Sequence, residues 1–248
     1  MAKVRVVYHP RFTEVYDIDP AAAQGRIEAV LEELGDRYPF FEPRPAVDDD
    51  VLLVHTPEHL ERVKRRTHVY EMALLAAGGA IKAAELAVSG EPAFALIRPP
   101  GHHAGPNSCW GFCWFNNVAI AVERLIKEGH IRKALIIDFD LHYGDGTAKI
   151  FSKNPDVDYC HLSGQMRESV LRQLEVCLER NANAELVAVS AGFDNHEKDW
   201  GGLLKTEDYT TIASMVKAMK VPVFAVLEGG YNHRVLGKNV AAFLAGLS

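Results

Sequence analysis

Cysteine, long apolar runs and signal-peptide features are scarce or missing in this 248-residue sequence. Four cysteines include one C-x3-C pair, Cys109 and Cys113, but no second pair follows that would complete a structural zinc site. We therefore expect four reduced thiols. No apolar run approaches the roughly 18 residues that a membrane span requires, and the opening MAKVRVVYHP has no signal-peptide core. These absences predict a soluble, cytoplasmic protein without a membrane partner.

A surplus of positive charge is also missing. The 27 Lys and Arg residues against 33 Asp and Glu residues give a formal net charge of −6. Proteins that bind DNA or RNA normally show the opposite balance, so we expect no nucleic-acid partner. An acidic balance tolerates a cationic substrate but does not identify one. Hydrophobic residues at 48% and charged residues at 24% are close to globular averages, which excludes disorder as the main state.

Apolar β-branched runs alternate with helical patterns along the chain. The run at 134–138 is typical of a parallel strand that is covered on both faces. Further strands are predicted at 4–8, 93–97, 157–161, 186–190 and 221–227, and a proline-rich loop at 39–45. Helices are predicted at 22–34, 57–66, 70–88, 116–127, 168–180, 207–219 and 233–247. This alternation predicts one α/β domain over residues 1–248, with a central parallel sheet flanked by helices on both faces.

Polar residues and glycines follow four of these predicted strands. In parallel α/β folds ligands bind at the carboxyl ends of the strands, so residues that gather there are candidates for a site. One such group would arise by chance, whereas four indicate an active site. The groups are His102 and His103; Asp138, Asp140, His142 and Asp145; Asp194; and Glu228-Gly229-Gly230-Tyr231.

The group after the 134–138 strand has the pattern of a metal site. Alternate residues of an extended chain share a face, so Asp138, Asp140 and His142 are placed to converge. One carboxylate and one imidazole suit Zn²⁺ or Fe²⁺ better than Ca²⁺. Asp194, at a neighbouring strand end, is the natural third ligand, which would leave an open position for water. Taken singly, each Asp is better explained as a helix cap or turn residue, but for the three together the metal site is the better explanation.

The tandem pair His102-His103 follows Pro-Pro-Gly, and its place at a strand end favours general acid–base catalysis. Such a pair needs carboxylates that fix the two tautomers, and Asp138 and Asp145 are available. Tyr231 would present a phenol that donates a hydrogen bond to an oxyanion. A tyrosine after Gly-Gly is, on its own, more often a packed aromatic residue.

Five segments in order resemble the motifs of the histone deacetylase and acetylpolyamine amidohydrolase superfamily, in a compact form with class II-like motifs. They are IRPPGHHA at 97–104, GFCWFNNVA at 111–119, DFDLHYGDGT at 138–147, SAGFD at 190–194 and LEGGY at 227–231. The resemblance implies an arginase-like fold and the hydrolysis of an N-acyl amide, such as acetyl-lysine or an acetylpolyamine.

The resemblance also implies a role for each matching position. Asp140, His142 and Asp194 would bind zinc, and a structural potassium ion would lie near Asp138, Asp140 and His142. The remaining roles it implies are the catalytic pair His102 and His103, their partners Asp138 and Asp145, the carbonyl-polarising Tyr231, and substrate contacts from Phe112 and the backbone of Gly111.

This sequence departs from the family between His161 and Leu186, where a rim loop and a second aromatic residue facing Phe112 are missing. We therefore expect a more open channel. Tyr143 replaces the usual second histidine of the metal motif, and Trp200 stands where proline is usual. Two alternatives remain: a ureohydrolase-like enzyme, which would need two manganese ions, and a catalytically silent binding module. The sequence leaves the oligomeric state open.

Overall fold

Seven parallel strands form one sheet in the computed structural model, which describes residues 4–248. The strands are β1 Arg5–Val7, β2 Phe40–Phe41, β3 Ala93–Ala95, β4 Ala134–Asp138, β5 Val157–His161, β6 Leu186–Ala191 and β7 Val223–Leu227. Their order across the sheet is β2-β1-β3-β7-β6-β4-β5. Every residue of β3, β4, β6 and β7 is buried, as expected of strands covered on both faces. The predicted α/β class is confirmed.

Nine α-helices cover the sheet within the described residues. They are α1 Arg26–Leu34, α2 Asp48–Val51, α3 Pro57–Lys64, α4 Thr67–Val88, α5 Asn117–Lys127, α6 Asp145–Phe151, α7 Arg167–Arg180, α8 Thr206–Lys217 and α9 His233–Leu247. Thr56 caps α3 and Asn116 caps α5, each by accepting a backbone N–H of the first turn. The longest helix, α4, has 22 residues, yet no helix between residues 4 and 248 combines the length and hydropathy of a membrane span.

Three details differ from the sequence predictions. The proline-rich loop at 39–45 contains β2, a two-residue edge strand paired with β1. The helix predicted from residue 22 begins at Arg26, because a 3₁₀ turn at Pro20–Ala22 precedes it. Cys160 and Cys177 are paired as a disulfide, whereas Cys109 and Cys113 are free. The expectation of four reduced thiols is therefore wrong for the pair that joins β5 to α7.

The strand order places a crevice at the ends of β4 and β6. The chain passes from β4 outward to β5, and then returns to place β6 and β7 on the opposite side of β4. The loops after β4 and β6 consequently leave the sheet in different directions and open a gap between them. Ligands of α/β proteins bind at such a switch point.

Candidate active site

Asp140, His142 and Asp194 meet in the crevice between β4 and β6. One ligand atom from each lies within 4.8 Å of the other two. Nδ1 of His142 is 2.9 Å from Oδ2 of Asp194 and 3.2 Å from Oδ1 of Asp140. Both carboxylates are almost completely buried, while the imidazole is partly exposed. The structure thus brings together the three residues that the sequence predicts as metal ligands.

Backbone glycines make room for the Asp140 carboxylate. A Cβ atom at Gly192 would lie 2.0 Å from Asp140 Oδ2, and one at Gly229 would lie 2.5 Å from the same oxygen. The Gly229 N–H donates to this oxygen at 2.8 Å, and the His142 N–H donates to Oδ1 at 2.9 Å. Asp140 is therefore gripped between the ends of β6 and β7, a position that only glycine neighbours permit.

Asp194 has one buried oxygen with the His142 ring beside it but no well-formed hydrogen bond. Its Oδ1 accepts the Leu141 N–H at 3.0 Å, but its buried Oδ2 accepts no hydrogen bond of normal geometry within residues 4–248. Burial and the charge of Asp140 raise the pKa of Asp194 above its usual value, and contacts with Asp140 and Asp194 raise the pKa of His142 to about 10. Two crowded carboxylates and one imidazole form a ligand group that a divalent cation such as Zn²⁺ fits.

Two histidine–carboxylate pairs lie beside this group. Nδ1 of His102 is 3.0 Å from Asp138 Oδ2, and Nδ1 of His103 is 2.7 Å from Asp145 Oδ1. The two imidazole rings lie 4.1 Å apart between centroids. Because each Nδ1 contacts a carboxylate, each Nε2 is left for other partners.

The environments of the two histidines push their pKa values apart. Burial lowers the pKa of His102, but the charges of Asp140 and Asp138 outweigh it and hold that pKa well above its usual range. Burial and the neighbouring His102 lower the pKa of His103, against the opposing effect of Asp145. One ring is thus favoured as imidazolium and the other as neutral imidazole, an arrangement typical of an acid and a base at one site.

A pocket of about 120 Å³ opens above these groups. Tyr231 lines it, and its ring meets that of Phe112 edge to face at 6.0 Å. Burial and the charge of Asp140 raise the pKa of Tyr231, so its hydroxyl stays protonated and is able to donate. The full lining is Pro100, His102, His103, Trp110, Gly111, Phe112, His142, Trp200 and Tyr231. The four aspartates of the predicted site lie behind this lining, in contact with its histidines.

Gly111 and Phe112 hold unusual backbone conformations against the pocket. Gly111 has φ +56°, and a Cβ atom there would lie 2.5 Å from Cδ2 of His103. Phe112 has φ +67°, a region that bulky residues rarely adopt. The turn brings main chain directly onto His103 while it directs Phe112 to the pocket. Strain of this kind concentrates at functional sites.

Three further side chains shape the site, and none of them has a role assigned from the sequence. Trp110 and Trp200, both about half exposed, form part of the pocket wall. Glu228 is buried and accepts the backbone N–H groups of Gly101 at 2.6 Å and His102 at 3.2 Å, so it anchors the histidine loop. Burial raises the pKa of Glu228 to about 7. Glu228 stood in the LEGGY motif and Trp200 at a position where proline is usual, whereas Trp110 gave no signal beyond the rarity of tryptophan.

Comparisons with known proteins agree along nearly the whole chain. The family model described as the histone deacetylase domain matches residues 20–170 and 163–247. A probable deacetylase of Methanothermobacter thermautotrophicus is 31% identical, over 90% of this chain and 84% of the relative. The acetylpolyamine amidohydrolase of Mycoplana ramosa is 33% identical, over 72% of this chain and 63% of that protein.

A structural comparison gives the same fold. The crystal structure of the HDA15 HD domain superposes with a TM-score of 0.88 at 24% sequence identity, and the match covers 99% of this chain and 90% of that one. This match confirms the arginase-like arrangement that the sequence predicts.

Proposed function

Since this chain belongs to the histone deacetylase family, we propose that it is a zinc-dependent hydrolase that removes an acyl group, foremost acetyl, from an amine such as acetyl-lysine or an acetylpolyamine. The observation that carries the proposal is the convergence of Asp140, His142 and Asp194 beneath a pocket lined by His102, His103 and Tyr231. The pocket volume of about 120 Å³ suits a small acyl group better than a bulky one.

Asp140, His142 and Asp194 would hold the ion, which supplies a Lewis acid for the scissile carbonyl and for water. Fe²⁺ is a second candidate, because an Asp₂His group does not select the metal by affinity alone. A structural potassium ion near the backbone carbonyls of Asp138, Asp140 and His142 is part of the same proposal. No catalytic role is assigned to it.

The proposed proton transfers use the two histidines in different roles. His103, held by Asp145 through Nδ1, takes a proton from the attacking water at its Nε2. His102, favoured as imidazolium beside Asp138 and Asp140, stabilises the developing negative charge. The Tyr231 hydroxyl donates to the substrate oxygen as that charge builds. A histidinium then protonates the amine as it leaves, so the products are a carboxylate and a free amine.

The alternatives are less well supported. A catalytically silent binding module would not need every residue that matches a catalytic position of the family. All of these residues are present around one pocket. A ureohydrolase-like enzyme would need a second cluster of metal-binding carboxylates. Within residues 4–248 the other candidate group is His102, Cys113 and Glu228, and its carboxylate already accepts two backbone N–H groups.

We also propose that the reaction takes place in the cytoplasm, with no nucleic-acid or membrane partner.

The test is amine release by the purified, zinc-loaded protein from a panel of acetyl-lysine peptides and acetylpolyamines. Turnover that disappears in Asp140→Ala and on chelation supports the proposal, and the ranking of the panel identifies the substrate class. Asp158→Ala is the matched control, because Asp158 is an exposed carboxylate on β5 away from the pocket. Turnover that persists in Asp140→Ala contradicts the proposal.

A further inference from the structure

The two histidine–carboxylate pairs are held in different ways. Asp138 is fully buried, and its oxygens accept the Tyr159 hydroxyl at 2.8 Å and the Asp140 N–H at 3.1 Å in addition to His102. The Asp145 side chain is 49% exposed at the start of α6. A carboxylate in that position exchanges partners with water unless another group holds it. The base of the proposed reaction therefore depends on the less protected carboxylate.

Trp110 holds the exposed carboxylate of Asp145 in place by hydrogen bonds. Its Nε1–H lies 3.1 Å from both Oδ1 and Oδ2 of Asp145. Oδ1 is also the atom that His103 Nδ1 contacts at 2.7 Å. Among residues 4–248, His103 and Trp110 are the side chains that donate to this carboxylate.

The same indole covers the His103 ring. The ring centroids of Trp110 and His103 are 3.9 Å apart with an interplanar angle of 33°. His102 lies against the His103 imidazole at 4.1 Å. The Gly111 backbone, which follows Trp110 directly, approaches the His103 ring so closely that no Cβ atom fits between them. Trp110 thus contacts both members of the pair, one through its N–H and the other through its face.

We propose that Trp110 is a positioning residue, which holds Asp145 and so keeps His103 in the tautomer with a proton on Nδ1 and a bare Nε2 available to the pocket. The inference rests on the proposed function, in which His103 accepts the proton of water at Nε2. The indole N–H fixes the carboxylate, and the indole face keeps the imidazole from rotating away. Loss of either contact allows the second tautomer, whose Nε2 carries a proton and is unable to act as a base.

The experiment compares wild type with Trp110→Phe, which keeps an aromatic face but loses the N–H, and with Trp110→Ala, which loses both. Nitrogen-15 NMR of the histidine side chains in the zinc-loaded protein reports the tautomer of His103 without any need for turnover. We expect a pure Nδ1–H form in wild type and a mixture in both variants. We expect kcat to fall about 10-fold in Trp110→Phe and about 100-fold in Trp110→Ala, with KM changed by less than about 3-fold, because a misplaced catalytic group costs up to that much.

Trp114→Phe is the matched control. It removes an indole N–H of the same kind, four residues further along the chain. The Trp114 nitrogen is buried without a partner among residues 4–248, and its side chain is outside the pocket lining. Its tautomer signal and kcat are expected to equal those of wild type.

A pure Nδ1–H form in Trp110→Ala, or a raised KM at unchanged kcat, would overturn the inference and leave Trp110 as a pocket wall. If Trp110→Ala fails to fold, Trp110→Phe decides alone, by the same two readouts. If the wild-type protein releases no amine from the panel, the proposed function fails, while the tautomer measurement still tests the positioning role.

Discussion

Replacing Gly192 with alanine perturbs the proposed metal site without changing a ligand. The new Cβ atom would lie 2.0 Å from Oδ2 of Asp140 and 2.4 Å from its Cγ. Gly192 has no positive φ, so alanine adopts this backbone without strain. On the other side, the N–H of Gly229 holds the same oxygen at 2.8 Å, so the carboxylate has no free space to enter. Asp140 must therefore swing out of its place.

The size of the effect follows from that displacement. Ordinary contact between such atoms begins at 3.4 Å, so Oδ2 must move by about 1.4 Å. Metal–ligand distances tolerate changes of only about 0.2 Å. Disturbing groups that merely orient a ligand already weakens metal binding by about 10- to 100-fold. We therefore expect Gly192→Ala to weaken zinc binding at least about 100-fold, which corresponds to about 2.8 kcal/mol.

Competition with a chromophoric chelator measures the zinc dissociation constant, and circular dichroism checks that the variant is folded. The matched control is Gly202→Ala. Gly202 has φ +66°, and a Cβ atom there would meet nothing within 4 Å. This control should lose roughly 1 kcal/mol of stability from backbone strain and keep its zinc affinity. A folded Gly192→Ala protein with wild-type zinc affinity would refute the assignment of Asp140 as a ligand in this cradle.

Three further predictions concern other parts of the molecule. Tyr231→Phe should lower kcat by about 100- to 1000-fold, since it removes one oxyanion donor, and should leave zinc affinity unchanged; steady-state kinetics with wild-type kcat would contradict this role. Neutral His55 bridges the Gly105 carbonyl at 2.8 Å and the Asn116 N–H at 2.9 Å, and burial lowers its pKa to about 3. As pH falls from about 6.5 towards 3, the unfolded chain therefore binds a proton that the folded chain refuses, and stability falls by up to about 1.4 kcal/mol per pH unit. In urea unfolding from pH 7 to 4, His55→Gln should show a flatter dependence, and parallel curves would show that His55 does not titrate in this way. Chelation should lower the Tm of wild type, because zinc at 100 times its Kd adds about 2.7 kcal/mol, and an unchanged Tm would argue against a bound ion.

The site residues whose positions could be predicted from the sequence are those that lie at the ends of recognisable strands. Asp138 ends β4, and Asp140 and His142 follow it within four residues, so all three lie at the carboxyl edge of the sheet although the chain bends after the strand. His102-His103 and Asp194 could be placed because parallel strands end at a common edge. Their predicted convergence agrees with the structure, while their roles remain proposals.

The features that the sequence does not predict depend on which loops meet in space. No local pattern shows that Trp110 reaches Asp145, or that Trp200 stacks on Tyr231 at 4.0 Å. The two-residue strand β2 forms only because β1 offers it an edge. The contact of Cys160 with Cys177 requires α7 to return onto β5, which sequence spacing alone cannot give.

The continuous sheet consists of two sets of strands, β2-β1-β3 and β7-β6-β4-β5. They join along one seam of three residue pairs, in which Ala93, Phe94 and Ala95 of β3 face Phe224, Ala225 and Val226 of β7. The histidine pair follows the first set, whereas the metal-binding group belongs to the second. Glu228, at the end of β7, pins the histidine loop across the seam. The alignment of His103 with the metal-binding group therefore depends on the pairing of β3 with β7. A shift in that pairing would leave a protein that is folded and binds metal but has no activity.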